Sequence, residues 1–178
     1  NIMGILSKLF PNIFSSTKDN LDTKTEFKET IIFHDSFLLM GTNYHKKEAY
    51  QVADFLSGGE HYFGKDNKYL KSYILRTYKT VYKYNKLKTV DVILQREPLN
   101  KHDKNAIKVL VNNTFVGYIP AEIARKIAFM VQNKKYRYDA ILTGRGGPYK
   151  TVDLDTEKIL EHKKELSYYL DLTIWKIA

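Results

Sequence analysis

The chain has 178 residues, 43% of them hydrophobic, no cysteine, and 29 Lys and Arg against 20 Asp and Glu, a formal net charge of +9. That length can bury one real core, its longest apolar runs are far too short to span a bilayer, and the missing cysteines exclude a disulfide framework or a thiolate metal site. The five histidines are scattered, with none three or four residues from another, which argues against a zinc centre; no cofactor is implied.

Met3 reads as a native start, with Asn1-Ile2 a cloning remnant. Residues 4–14 carry Ile5, Leu6, Leu9, Phe10, Ile13 and Phe14 at helical spacing, and residues 15–29 form a polar linker, so residues 1–30 are expected to be an N-terminal tail docked on a domain over 31–178. A strand is expected over 36–42, and a helix over 46–56, with Ala49, Val52, Ala53 and Leu56 on one face and Gly58-Gly59 stopping it.

Residues 65–88 hold eight cations against the single carboxylate of Asp66, interleaved with Tyr69, Tyr73, Tyr78, Tyr82 and Tyr84. Cations neutralise phosphates and aromatic faces stack on unpaired bases, so Arg76, Tyr78, Lys79, Lys83 and Lys86 are candidate nucleic-acid contacts. A solvated element face is the plainer reading. The Tyr, Thr, Ile and Val content of 73–84 suggests a strand that hairpins onto 89–96 through a turn at 85–88, although the lysines also fit a helical stripe.

Val90, Val92 and Leu94 alternate with polar neighbours in a strand that breaks at Pro98 into the turn Asn100-Lys-His-Asp-Lys-Asn105, and a second strand, 106–111, leaves it. This turn sets an amide, an imidazole and a carboxylate on a sheet-supported loop, the kind of place where binding residues concentrate. A helix follows over 121–132, entered at Pro120, with Ile123, Ile127, Met130 and Val131 as its apolar stripe. Then come a strand over 136–142, a loop at Gly144-Arg-Gly-Gly-Pro148, a helix over 156–166 capped by Asp155, and a final strand through Leu170, Leu172 and Ile174. The Gly-rich loop lacks P-loop spacing, and no nucleophile–base constellation is legible, so no enzymatic activity is expected.

The run Arg96-Glu97-Pro98, Asn100, Asp103, Asn105-Ala106-Ile107, Val109 and Gly117-Tyr118-Ile119-Pro120 resembles the HIRAN domain family in order and spacing. HIRAN domains accompany Swi/Snf-type helicase-like ATPases and also occur alone in bacteria; the stand-alone bacterial type fits here. The resemblance implies a β-rich α+β fold, a small OB-like or SH3-like β-barrel with two or three short helices, that grips the 3′ end of single-stranded DNA. It implies a role in DNA repair or fork processing, a cytoplasmic or nucleoid location, a helicase or nuclease as possible partner, and no membrane. An adaptor docking an acidic protein, or an accessory subunit of a nuclease or helicase, is the alternative.

By the same resemblance Asp103 accepts a hydrogen bond from the terminal 3′-hydroxyl, and His102 stands where most of the family has an aromatic. Asn100 organises the turn, and Tyr118 reaches phosphate or sugar. Ala121 replaces a Lys of some relatives, with Lys104 and Lys126 as compensation. Arg96 and Glu97 are expected to pair with each other or with loop backbone. The family's opening strand, which carries an aromatic near its glycine, maps onto Met40-Gly-Thr-Asn-Tyr44. That makes Tyr44 the opposing aromatic and residues 60–88 a basic insertion. In the other register Leu75-Arg-Thr-Tyr-Lys79 takes that role and Tyr78 lines the pocket.

Overall fold

The computed structural model describes residues 29–177. The apolar stretch 4–14 and the polar stretch up to residue 28 lie outside the described residues, while Glu29 already opens the first strand. Strands β1 (Glu29–Leu38), β10 (Leu166–Ile177), β7 (Tyr136–Gly146) and β3 (Lys88–Thr89) form an antiparallel sheet in that order. A second sheet joins β2 (Val81–Tyr82), β8 (Tyr149–Val152) and β9 (Ile159–His162), and a third joins β4 (Ile93–Arg96), β5 (Ile107–Val111) and β6 (Thr114–Tyr118). With three helices, α1 (Lys46–Leu56), α2 (Asn67–Thr77) and α3 (Ala121–Ile127), the fold is the expected β-rich α+β type, built from three antiparallel sheets with no closed barrel among the described residues.

Period-two burial shows why these segments are strands. Ile107, Val109 and Val111 of β5, and Leu166, Tyr168, Leu170, Leu172 and Ile174 of β10, are buried at alternate positions. These side chains meet Ala49, Val52 and Ala53 of α1 and Ile123, Ala124 and Ile127 of α3 in one core. The Tyr168 hydroxyl, inside that core, donates to the Ala49 carbonyl at 2.8 Å and so pins α1 to β10.

The opening strand changes partner at its end. The Leu39 amide donates to Tyr168, whereas Met40 and Tyr118 exchange both backbone bonds at 2.8 Å, which ties the first sheet to the third. Gly117 permits this crossing: a Cβ there would lie 2.9 Å from the Met40 carbonyl oxygen and 3.1 Å from Thr42 Oγ1. The segment around Met40-Gly-Thr therefore lies against Gly117-Tyr118, and Arg76 to Tyr78 lie elsewhere.

Two expected elements are corrected. Residues 73–77 belong to α2, not to a strand. Asp66 caps that helix by accepting from the Tyr69 amide at 2.8 Å, and Leu70 and Ile74, four apart, bury into a small separate core with Val81 and Val152. The hairpin of 73–84 onto 89–96 is absent, since β2 pairs with β8, β3 with β7, and β4 with β5. The helix over 156–166 is also absent. Asp153, not Asp155, accepts the local backbone amides, from Asp155 at 3.0 Å and Thr156 at 2.9 Å, in a turn that leads into β9. Strand β9 is held to β8 by a Thr151–His162 side-chain bond of 2.7 Å. Finally, β7 runs on through Gly144-Arg-Gly146, where the glycines alone suggest a loop.

Candidate nucleic-acid interface

The turn between β4 and β5 is built around one carboxylate. Glu97 accepts from the Asn100 amide nitrogen at 2.7 Å, from the Tyr118 hydroxyl at 2.9 Å, and from the Lys108 ammonium of the neighbouring strand. Lys108 foremost, then Asn100 and Tyr118, hold the Glu97 carboxyl down at about 2, below its ordinary 4.5. The Asn100 side-chain oxygen Oδ1 accepts from the backbone amides of His102 at 2.9 Å and Asp103 at 3.1 Å, an Asx-type turn. Asp103 Oδ1 in turn receives the Asn105 amide at 2.8 Å, and the Ala106 amide closes on the Asp103 carbonyl at 2.9 Å. Glu97 thus bonds Lys108, not Arg96, whose Nε is buried without a partner among the described residues.

This organised turn forms one wall of an open groove of about 360 Å³ lined by Asn100, His102, Asp103, Met40, Tyr118 and Ala121, among others. Four expected site residues come together here: Asn100, His102, Asp103 and Tyr118. His102 is exposed, and Asp103 and Tyr118 are half-buried. The Tyr118 ring is held edge-on by Phe115, at 4.9 Å between centroids, and Phe115 by His45 at 4.8 Å. Among the described residues Asp103 Oδ2 has no partner, so one carboxylate oxygen is available at the groove.

Tyr44 sits on the 3-10 turn Thr42–Tyr44, three residues past the Gly41 that faces the Tyr118 ring; it is 91% exposed and does not line the groove. Lys104 is exposed in the turn beside Asp103. Arg76 lies in the last turn of α2, Tyr78 is its 80% exposed C-cap in the left-handed region, and Lys79, Lys83 and Lys86 follow along the segment that carries β2. None of these five lines the groove.

Sequence reasoning missed Met40 as a groove residue and Lys108 as the partner of Glu97. Only the strand register, which pairs Lys108 with Tyr118 on one side and Gln95 on the other, reveals the latter.

Comparison with known proteins agrees with these landmarks. The family model of the HIRAN domain matches residues 32–160. Over 69 residues, 38% of this chain, the helicase-like transcription factors of Mus musculus, Oryctolagus cuniculus and Homo sapiens are 44%, 42% and 39% identical. The match spans only 6% of the length of each of those proteins. Among solved structures, the crystal structure of the HIRAN domain of human HLTF is 21% identical, covering 84% of this chain and 80% of that one at a TM-score of 0.40.

Proposed function

The chain belongs to the HIRAN domain family, and on that premise we propose that it is a non-enzymatic module that binds single-stranded DNA at a free 3′ end. The observation that carries this reading is the Asp103 carboxylate in the groove. One oxygen is fixed by the Asn105 amide, the other has no hydrogen-bond partner among the described residues, and Asp103 lines the groove together with His102 and Tyr118. A carboxylate repels an internal phosphate and accepts from a hydroxyl, so it selects a strand end over a strand interior. His102 and the exposed Tyr44 offer ring faces to the terminal bases, and Asn100 acts by holding the turn, since its amide is already engaged on both sides. Lys104 supplies positive charge next to the backbone.

The test is fluorescence anisotropy with oligonucleotides ending in a 3′-hydroxyl or a 3′-phosphate. A hydrogen bond to a charged group contributes about 1.5–3 kcal/mol, so the phosphorylated end is expected to bind roughly ten-fold or more weakly. Asp103→Asn should narrow that gap by removing the repulsion. Equal affinity for the two ends would sink the reading.

A further inference from the structure

The segment 63–87, strand β7 and the connection between β9 and β10 line a second cavity that the end-binding groove does not include. It measures about 500 Å³ and is lined by Phe63, Tyr82, Tyr84, Asn85, Arg145 and Lys164, among others. No carboxylate lines it. Its two cations rest on rings instead of acids. The Lys164 ammonium stands 5.6 Å from the Tyr82 ring centre and donates to its hydroxyl at 3.3 Å, and the Arg145 guanidinium lies 5.0 Å from the Tyr169 ring centre. Neither forms an ion pair among the described residues. The aromatic wall is fixed from behind, with Tyr82 against Tyr149 at 5.5 Å and Tyr149 stacked on His162 at 4.7 Å across the second sheet.

A neighbouring cavity of about 340 Å³ shares Lys164 with this one and adds Lys163, Tyr50, Asn43 and Lys46. Its single carboxylate, Glu165, is engaged by Asn43 at 2.6 Å and Lys46 at 3.3 Å. It reaches Thr42, two residues beyond Met40 of the end groove. The two cavities thus share Lys164, and the segment Met40–Thr42 contributes one residue to the end groove and one to the smaller cavity.

We propose that the Tyr82–Arg145–Lys164 cleft is a second nucleotide subsite on one track, holding bases and phosphates of the same single strand several nucleotides 5′ of the end bound at Asp103. Unpaired cations in an acid-free, aromatic-walled cleft match a polyanion with exposed ring faces. This proposal rests on the single-strand reading above but uses residues separate from the end groove.

The experiment compares a 3′-hydroxyl trinucleotide, followed by NMR titration, with an oligonucleotide of about 15 nucleotides, near the upper footprint of one OB-type module, followed by anisotropy. The wild-type protein and the double variant Arg145→Gln/Lys164→Gln are measured, with circular dichroism as the folding control. The variant should bind the long strand roughly ten-fold more weakly, with a salt slope reduced by about 1.4, that is about 0.7 for each of two phosphates, while trinucleotide affinity stays unchanged. Tyr82→Phe should bind like the wild type and Tyr82→Ala more weakly, because the face and not the hydroxyl stacks. Unchanged long-strand affinity and slope in the double variant would overturn the second subsite while leaving end recognition standing. Equal loss for both lengths would overturn it too, as a general field effect. Long-strand sensitivity to the double variant combined with indifference to a 3′-phosphate would retain the cleft and remove the end reading.

Discussion

Glu97 is the residue on which the groove depends, although its carboxylate is absent from the groove's lining. Through Asn100 it sets the Asx turn that aims His102 and Asp103, and through the hydroxyl it orients Tyr118. Because its folded-state carboxyl titrates near 2, below the ordinary 4.5, its contribution to stability is fully present above pH 4.5 and is lost as the pH falls from there towards 2. Glu97→Gln should therefore lower the thermal midpoint at pH 7 by about 3–6 °C, from a loss of about 1.5 kcal/mol of charged hydrogen bonding. The gap between variant and wild type should close as the pH approaches 2. Unfolding curves over that range check it, and a gap independent of pH would mean that the amide, not the charge, matters. The sequence motif names Asn100, His102, Asp103 and Tyr118, and the fold brings these four to one groove. The motif does not show that Glu97 pairs with Lys108, because cross-strand partners depend on a register that neighbouring residues along the chain do not reveal.

At the scale of elements, patterns that a single segment carries are legible in the sequence and patterns that depend on a partner are not. Helix α1 appears at Lys46–Leu56 because its buried Ala49, Val52 and Ala53 keep helical spacing and Gly58 and Gly59 end it. Helix α2 is masked by β-favouring Tyr, Thr and Ile, and the lysine stripe that hints at it is settled by the Asp66 cap and the buried pair Leu70 and Ile74. Strand β9 is hidden in the sequence because its support comes from β8, through ladder pairing and the Thr151–His162 side-chain bond. The crossing of the opening strand over β6 is likewise a tertiary fact, and it makes a sharp prediction. Gly117→Ala adds a Cβ that meets backbone at 2.9 Å, so the strand end must shift, at about 1–3 kcal/mol. Denaturant midpoints should fall accordingly, and the amides of Met40 and Tyr118 should lose protection in hydrogen exchange while those of α2 keep theirs. Unchanged protection would show that the two strands approach less closely than 2.8 Å bonds require.

Across the whole molecule the basic charge is concentrated, not evenly spread, and the fold keeps much of it free. Of the eight cations in 65–88, Lys71 is paired, with Glu157 at 2.8 Å, and Lys83 lies 5.0 Å from the Tyr84 ring centre. Lys79 and Lys86 are exposed, and with Lys83 they line the same stretch that supplies Tyr82, Tyr84 and Asn85 to the second cavity. If a single strand passes along this stretch, each phosphate that a lysine neutralises releases condensed counterions, and log affinity falls linearly with log salt. Changing Lys79, Lys83 and Lys86 to Ala should weaken binding to all sequences alike. It should also flatten the salt slope by up to about 0.7 for each phosphate no longer neutralised, about 2 for all three. Because these side chains add almost nothing to the small core of Leu70, Ile74, Val81 and Val152, the thermal midpoint should move little. An unchanged slope with intact folding would mean that this basic stretch serves another partner or only solubility, since a strand running past these three lysines would release counterions from the phosphates they neutralise.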